Sequence, residues 1–257
     1  MLSAMLLLAG GLATARAAAP CPDRPGALGT ERVMTVDAGS TPRVGRKQFP
    51  TTLPLADKEL VLTFDDGPWP GTTDRVLDAL ARECVHATFF LLGRNAALFP
   101  ALARREAADG HTIGSHTFSH PLLNRMSTAR AEAEIDRGIA AIDTAAYGGA
   151  RSPGTRFFRF PGFASSPALL EHLAARGIVV FGADLWASDW NLMTPEQELR
   201  LVLGRIEKQR RGIVLFHDTR KQTAALLPLL LRELKTRGYR IVHAVPAGNP
   251  GAAPLSH

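Results

Sequence analysis

The sequence predicts an α/β fold: a deformed, incomplete (β/α) barrel of about seven parallel strands, formed as a single domain. Three observations predict it. Short β-rich apolar runs alternate with amphipathic helical stretches about six times between residues 58 and 245, which is the pattern of parallel strands joined by crossover helices. The 257 residues, 46% of them hydrophobic, are enough to bury the core of one such domain. Unusual polar residues also sit where the strands end, at Asp65-Asp66, His116, Arg159, Asp184 to Trp190 and His217-Asp218. In parallel α/β folds those ends share one face and build the site.

The elements follow in order. Residues 1–19 read as an export signal: an apolar run too short to span a bilayer, ending in small residues, with Ala17 and Ala19 as alternative cleavage positions and no basic segment ahead of it. Residues 20–57, rich in Pro, Gly and Arg, read as an extended lead-in. Strands are expected at 59–64, 86–92 and 112–116, with helices over 72–83, 95–108 and 127–146. After a Gly-rich loop at 148–154, F-F-R-F-P-G-F (157–163) returns to strand character. Ser166-Pro167 starts the next helix, because proline suits a first helical turn. G-I-V-V-F (177–181) is a buried strand, and Thr194-Pro195-Glu196-Gln197 is a capping box ahead of another helix. G-I-V-L-F-H-D (212–218), a helix over 222–237 and R-I-V-H-A-V (240–245) complete the domain at 58–245, and 246–257 reads as a disordered tail.

Composition narrows the partners. The formal charge is +6, but the basic residues are scattered and K-Q-R-R (208–211) is their densest cluster, which argues against nucleic acid. No later stretch is long and apolar enough for a membrane helix, so no stable membrane insertion is expected; the chain is expected to be a monomer, exported by its signal to the periplasm or the extracellular space. The two cysteines, Cys21 and Cys84, form a disulfide or remain thiols, and neither suits a metal site.

His116 and His120, in S-H-T-F-S-H-P, have the i, i+4 spacing that puts two imidazoles on one side of a helical turn. A carboxylate would complete a His-His-Asp set with open positions, and Asp66 is the natural supplier. Asp65 and Asp66 are adjacent, so on an extended chain they point to opposite sides and suit different tasks.

In that order, T-F-D-D-G-P, H-T-F-S-H, F-R-F-P-G and L-F-H resemble the five-motif signature of the polysaccharide deacetylases, carbohydrate esterase family 4, the NodB-homology domain. The resemblance spans roughly residues 58 to 245. It implies that Asp66, His116 and His120 bind one divalent metal ion, Zn²⁺ first and Co²⁺ or another divalent ion otherwise. It implies that Asp65 is the general base, held by Arg159, and that His217 is the general acid, oriented by Asp189. Trp190 would wall the site, Leu215 would line the acetyl pocket, and the backbone N–H of Gly162 would face the oxyanion. The chemistry is coherent, since amide hydrolysis needs an activated water, oxyanion stabilisation and an acid for the amine.

Two departures from the family pattern stand out. Pro161-Gly162-Phe163 replaces the usual proline, aromatic, glycine order, which moves the aromatic wall. A-D-L-W-A-S-D-W carries Ala183 where an aromatic is common, with an additional Asp184 and Trp186; Asp184 reads as a structural hydrogen-bond acceptor. The expected function is removal of N-acetyl groups from N-acetylglucosamine-containing glycans of chitooligosaccharide or peptidoglycan type. The alternatives are an O-acetyl esterase on a xylan-like polysaccharide and a catalytically silent glycan-binding module. A magnesium phosphatase is excluded by the two histidines and by the lack of a phosphate-cradling loop.

Overall fold

A computed structural model describes residues 15–17, 24–149 and 154–248. The first strands are β1 (Ala15–Ala17), β2 (Thr30–Val36), β3 (Arg43–Val44) and β4 (Glu59–Asp65). Then come α1 (Thr73–Arg82), β5 (Thr88–Leu91), α2 (Gly93–Leu98), α3 (Pro100–Ala108), β6 (Thr112–Ser115) and α4 (Thr128–Tyr147). The second half holds β7 (Phe157–Phe158), α5 (Pro167–Ala174), β8 (Val179–Phe181), β9 (Leu185–Trp186), α6 (Pro195–Gln209), β10 (Gly212–His217), α7 (Lys221–Thr236) and β11 (Arg240–Pro246). The expected signal and tail fall largely outside the described residues.

Seven strands, β9, β10, β4, β5, β6, β7 and β8, pair in that order, and every one of these ladders is parallel. β8 and β9 follow each other in the chain, yet among the described residues no ladder joins them, so the barrel is open there. The segment read as an extended lead-in supplies strands on both flanks. β3 pairs with β8 beside the opening, while β2 pairs with β11, which in turn meets the start of β4.

The loop after β3 bridges the open seam. Lys47 donates its backbone N–H to Ala183 O at 2.8 Å. The Asp184 carboxylate accepts from Arg46 N at 3.0 Å, Thr52 Oγ1 at 2.6 Å and Ile213 N at 2.8 Å, tying loop, seam and β10 together. Gly45 is required: at φ +103° it lies so close that a Cβ would stand 2.5 Å from Ala183 N.

Alternation along β4 sorts its side chains into two layers. Leu60, Leu62 and Phe64 join a core against α1, α6 and α7, whereas Val61 joins Phe90, Phe181 and Ile213 inside the barrel. Thr63 and Asp65 continue that inner row toward the strand ends. The helix expected over 95–108 is two helices. Pro100 lacks an N–H and disfavours helical geometry in Phe99, which adopts φ −126°, ψ 56°. The capping box at Thr194 is present with both of its bonds, and Ser166 accepts from Leu169 N.

Candidate metal and catalytic centre

Asp65 and Asp66 part at a change of backbone hand. Asp65 is the last strand residue, paired across the ladder with His217, while Asp66 takes φ +75° and turns out of the sheet. The turn is held by Asp66 N donating to Phe90 O at 3.2 Å and by Asn95 Nδ2 donating to Asp66 O at 2.8 Å. Asp218 supports it from below. Its carboxylate accepts from Thr73 Oγ1, and it leaves no space for a side chain at Gly67.

His116 and His120 come together, but not on a helical turn. The stretch after β6 is a loop with left-handed residues at Thr117 (φ +72°) and His120 (φ +69°), and it brings the two rings to 5.0 Å. The i, i+4 spacing therefore works through a tight reversal rather than helical periodicity. The loop is fixed by His120 N donating to Thr117 Oγ1 at 2.9 Å and by Ser119 Oγ donating to Glu134 Oε1 at 2.7 Å. It lies directly on α4, where Gly138 has no room for a Cβ.

The triad fits a divalent ion. Asp66 Oδ1 stands 3.6 Å from His116 Nε2 and 3.4 Å from His120 Nε2, and all three ligand atoms lie within 4.8 Å of one another. Tetrahedral ligands at zinc distances are separated by roughly 3.3 Å. Asp66 Oδ1 is buried without a hydrogen-bond partner, which a cation would supply. His116 Nδ1 faces Arg159 O at 2.8 Å; a carbonyl can only accept, so Nδ1 carries the proton and Nε2 presents its lone pair inward. Burial pushes the His116 pKa down to about 3, keeping the ring neutral.

Arg159 is fully buried and spends its guanidinium on four acceptors. Nη1 donates to Asp65 Oδ1 at 2.6 Å and to Thr63 Oγ1 at 2.8 Å, Nη2 to Gly182 O at 2.8 Å and Nε to Phe181 O at 3.2 Å. Burial pushes the Asp65 carboxyl up from its ordinary value, and the Arg159 charge opposes that rise. Asp65 Oδ2 lies 3.9 Å from His116 Nε2, so the two aspartates face one centre from different sides.

On β10, His217 lies in the inner row with Ile213 and Leu215. Asp189 holds it twice, accepting from its Nδ1 at 2.7 Å and from its backbone N at 2.6 Å. Asp189 is itself held by Thr223 Oγ1 at 2.8 Å. Burial pulls the His217 pKa down, but the Asp189 hydrogen bond and the charges of Asp189, Asp65 and Asp66 prevail and raise it to about 9. Its Nε2 is 3.9 Å from Asp66 Oδ2.

An aromatic row leads away from this centre. Trp190 packs edge-on to His217 at 5.9 Å and to Trp186 at 5.9 Å, and Trp186 lies nearly parallel to Phe163 at 6.3 Å. Phe163 and Trp186 both belong to the stretches at which the motifs depart from the family pattern. Gly162, at φ +56°, makes the turn that sends Phe163 there. Asn95, Gly67, Thr223 and Trp186 were not singled out from sequence as site residues; Gly67 left a signal inside T-F-D-D-G-P, and Trp186 as an extra tryptophan near Asp189. Cys84 is disulfide-bonded; the other cysteine of the sequence, Cys21, lies outside the described residues.

A family model described as polysaccharide deacetylase matches residues 53–181. The chain is 32% identical over 226 residues to the peptidoglycan-N-acetylglucosamine deacetylase PgdA of Listeria monocytogenes, covering 85% of this chain and 46% of that protein. It thus spans about half the length of that relative. It is also 32% identical to a chitooligosaccharide deacetylase of Bradyrhizobium sp., covering 74% of this chain and 90% of that protein. Among solved structures, a peptidoglycan deacetylase of Bdellovibrio bacteriovorus superposes with a TM-score of 0.74 at 35% identity, covering 86% of this chain and 60% of the other.

Proposed function

The chain belongs to the polysaccharide deacetylase family, and from that premise we propose that it is a metal-dependent hydrolase removing N-acetyl groups from N-acetylglucosamine-containing glycans outside the cytoplasm. One observation carries the reading. A His-His-Asp triad faces both an arginine-held carboxylate and a carboxylate-held imidazole, each approaching it to 3.9 Å. That supplies a metal, a base and an acid around one point, the set that amide hydrolysis demands. The names of the relatives make peptidoglycan and chitooligosaccharide the substrates to test first.

Each residue has a distinct task in this reading. Asp66, His116 and His120 hold the divalent ion, zinc being a good match for two imidazoles and a carboxylate, and Lewis-acid activation of the amide comes from it when bound. Asp65 accepts the proton of the attacking water, with Arg159 keeping its carboxylate ionised and in place. The Gly162 N–H faces the developing oxyanion. His217, protonated at neutral pH by virtue of Asp189, gives its proton to the departing amine nitrogen. Leu215 receives the acetyl methyl, and Trp190 closes the sugar side.

The test is acetate release by zinc-loaded protein from N-acetylglucosamine oligomers, peptidoglycan and acetylxylan. Release from the first two, lost by a factor of about 10³ or more in Asp65→Asn, is expected. No release from any polymer would end the proposal, and full activity in Asp65→Asn would end the base assignment. Zinc stoichiometry should fall in Asp66→Ala and in His120→Ala; undiminished zinc in both would refute the triad.

A further inference from the structure

Beside the barrel seam, under Trp186, lies a cavity of about 380 Å³ lined by Lys47, Asp184, Leu185, Trp186, Arg205 and Lys208. Its charge is unbalanced. Asp184 is the acid in the lining, and its carboxylate is already occupied by Arg46 N, Thr52 Oγ1 and Ile213 N. Among the described residues none of the three cations has an ion-pair partner, although elsewhere Arg32, Arg105, Arg210 and Arg237 all do. Lys47 Nζ instead rests over the Trp186 ring, 4.7 Å from its centre. Arg205 is oriented by donating from Nη1 to Trp186 O at 2.6 Å and to Ser188 Oγ at 2.8 Å.

Aromatic contacts run from the cavity toward His217. Trp186 lines it and also touches Trp190, which touches His217, so the pocket sits two ring contacts from the acid. Aromatic faces of this kind offer an apolar surface on which a pyranose chain can lie. A glycan laid along the row would bring a neighbouring sugar to three uncompensated cations. A neutral polymer has nothing to offer them. A carboxylate on that sugar has.

We propose that this cavity is a subsite for a carboxylate carried by the glycan, so that the substrate is an acidic N-acetylated chain, such as one with lactyl ethers on alternate sugars, rather than a neutral one. This rests on the deacetylase reading above. Arg205 binds the carboxylate from its fixed position, and Lys47 and Lys208 close on it from the open side. Specificity then arises from a charge match away from the scissile amide.

The test is calorimetric titration of zinc-loaded Asp65→Asn protein, which separates binding from turnover. The probes are the tetrasaccharide of alternating N-acetylglucosamine and N-acetylmuramic acid and its methyl ester, in which the carboxylates are masked. The acid should bind about tenfold more tightly than the ester at low salt, and Lys47→Gln with Lys208→Gln should cut that difference to about threefold, the share Arg205 retains, while the ester binds as before. Wild-type protein stripped of metal is titrated in parallel, which covers a folding defect in Asp65→Asn. Equal affinities for acid and ester, or a preference undiminished by the double substitution, overturn the subsite and leave the deacetylase reading standing. Failure of both sugars to bind overturns both. Competition by inorganic phosphate but not by acetate overturns the carboxylate in favour of a phosphate-bearing polymer.

Discussion

Arg159 ties the barrel seam to the candidate site through one side chain. Its guanidinium satisfies two carbonyls at the barrel seam as well as Thr63 and Asp65. A lysine keeps the charge but has neither the planar fork nor the donors for four acceptors. Arg159→Lys should therefore lower stability by about 3 kcal/mol, through buried acceptors left unpaired, and a urea midpoint measures it. The Asp189–His217 pair is read out by titration. Asp189→Asn removes the largest influence that raises the His217 pKa, and should bring it down from about 9 toward the ordinary histidine range. Ring NMR of the metal-free protein measures that shift, and the alkaline limb of the activity profile should move the same way. That Asp65, Arg159 and His217 gather at strand ends was legible in D-D-G-P, R-F-P-G and L-F-H because each motif is contiguous. The bonds of Thr63 and Thr223 were not, since a threonine looks alike in sequence whether it faces solvent or a buried polar group.

Helix α4 and the loop after β6 meet at Gly138. Alanine there would favour the helix by about 1 kcal/mol, yet its Cβ would stand 2.5 Å from Thr117 C, against backbone that cannot swing aside. The overlap outweighs the propensity, so Gly138→Ala should displace the loop bearing His116 and His120. Zinc affinity is expected to fall about tenfold, measured by competition with a chromogenic chelator. Most strands and helices were readable from periodicity because they are long or strongly amphipathic. β3 and β9, of two residues each, carry no period to read. The helical turn assumed for His116 and His120 was overruled by two positive-φ residues, Thr117 and His120, neither of them glycine.

Acid sensitivity belongs to the molecule as a whole. At the opposite end of the barrel from the candidate site, His86 packs against His243 at 5.3 Å and His111 at 5.9 Å. Burial pushes the His243 pKa down to about 3, and burial also lowers His86 and, further, His111. A histidine depressed in the folded state contributes stability that is full above its unfolded value, about 6.5, and is lost as pH falls toward the folded value. Each strongly depressed histidine should cost about 1.5 kcal/mol between pH 6.5 and pH 5. His217 works in the opposite sense, stabilising below about pH 6.5 and losing its contribution as pH rises through about 9. Denaturant midpoints across that range should therefore peak near neutrality, and His243→Gln, which can still donate to Thr112 Oγ1, should flatten the acid limb.

The loop at the barrel seam is tied to Asp184 across 138 residues of sequence, from Arg46. It emerges early during synthesis, but its acceptors are made only once β8 and β9 exist. Closing so long a span costs entropy before any contact repays it. Residues 45–52 should therefore be the last wall to seat and the first to lift, with the amide of Lys47 exchanging ahead of those in β4. Because that wall carries Lys47, the order of assembly is also a form of modularity. On the subsite proposed above, a different lead-in grafted before T-F-D-D-G-P would leave the candidate triad in place and change the charge beside it.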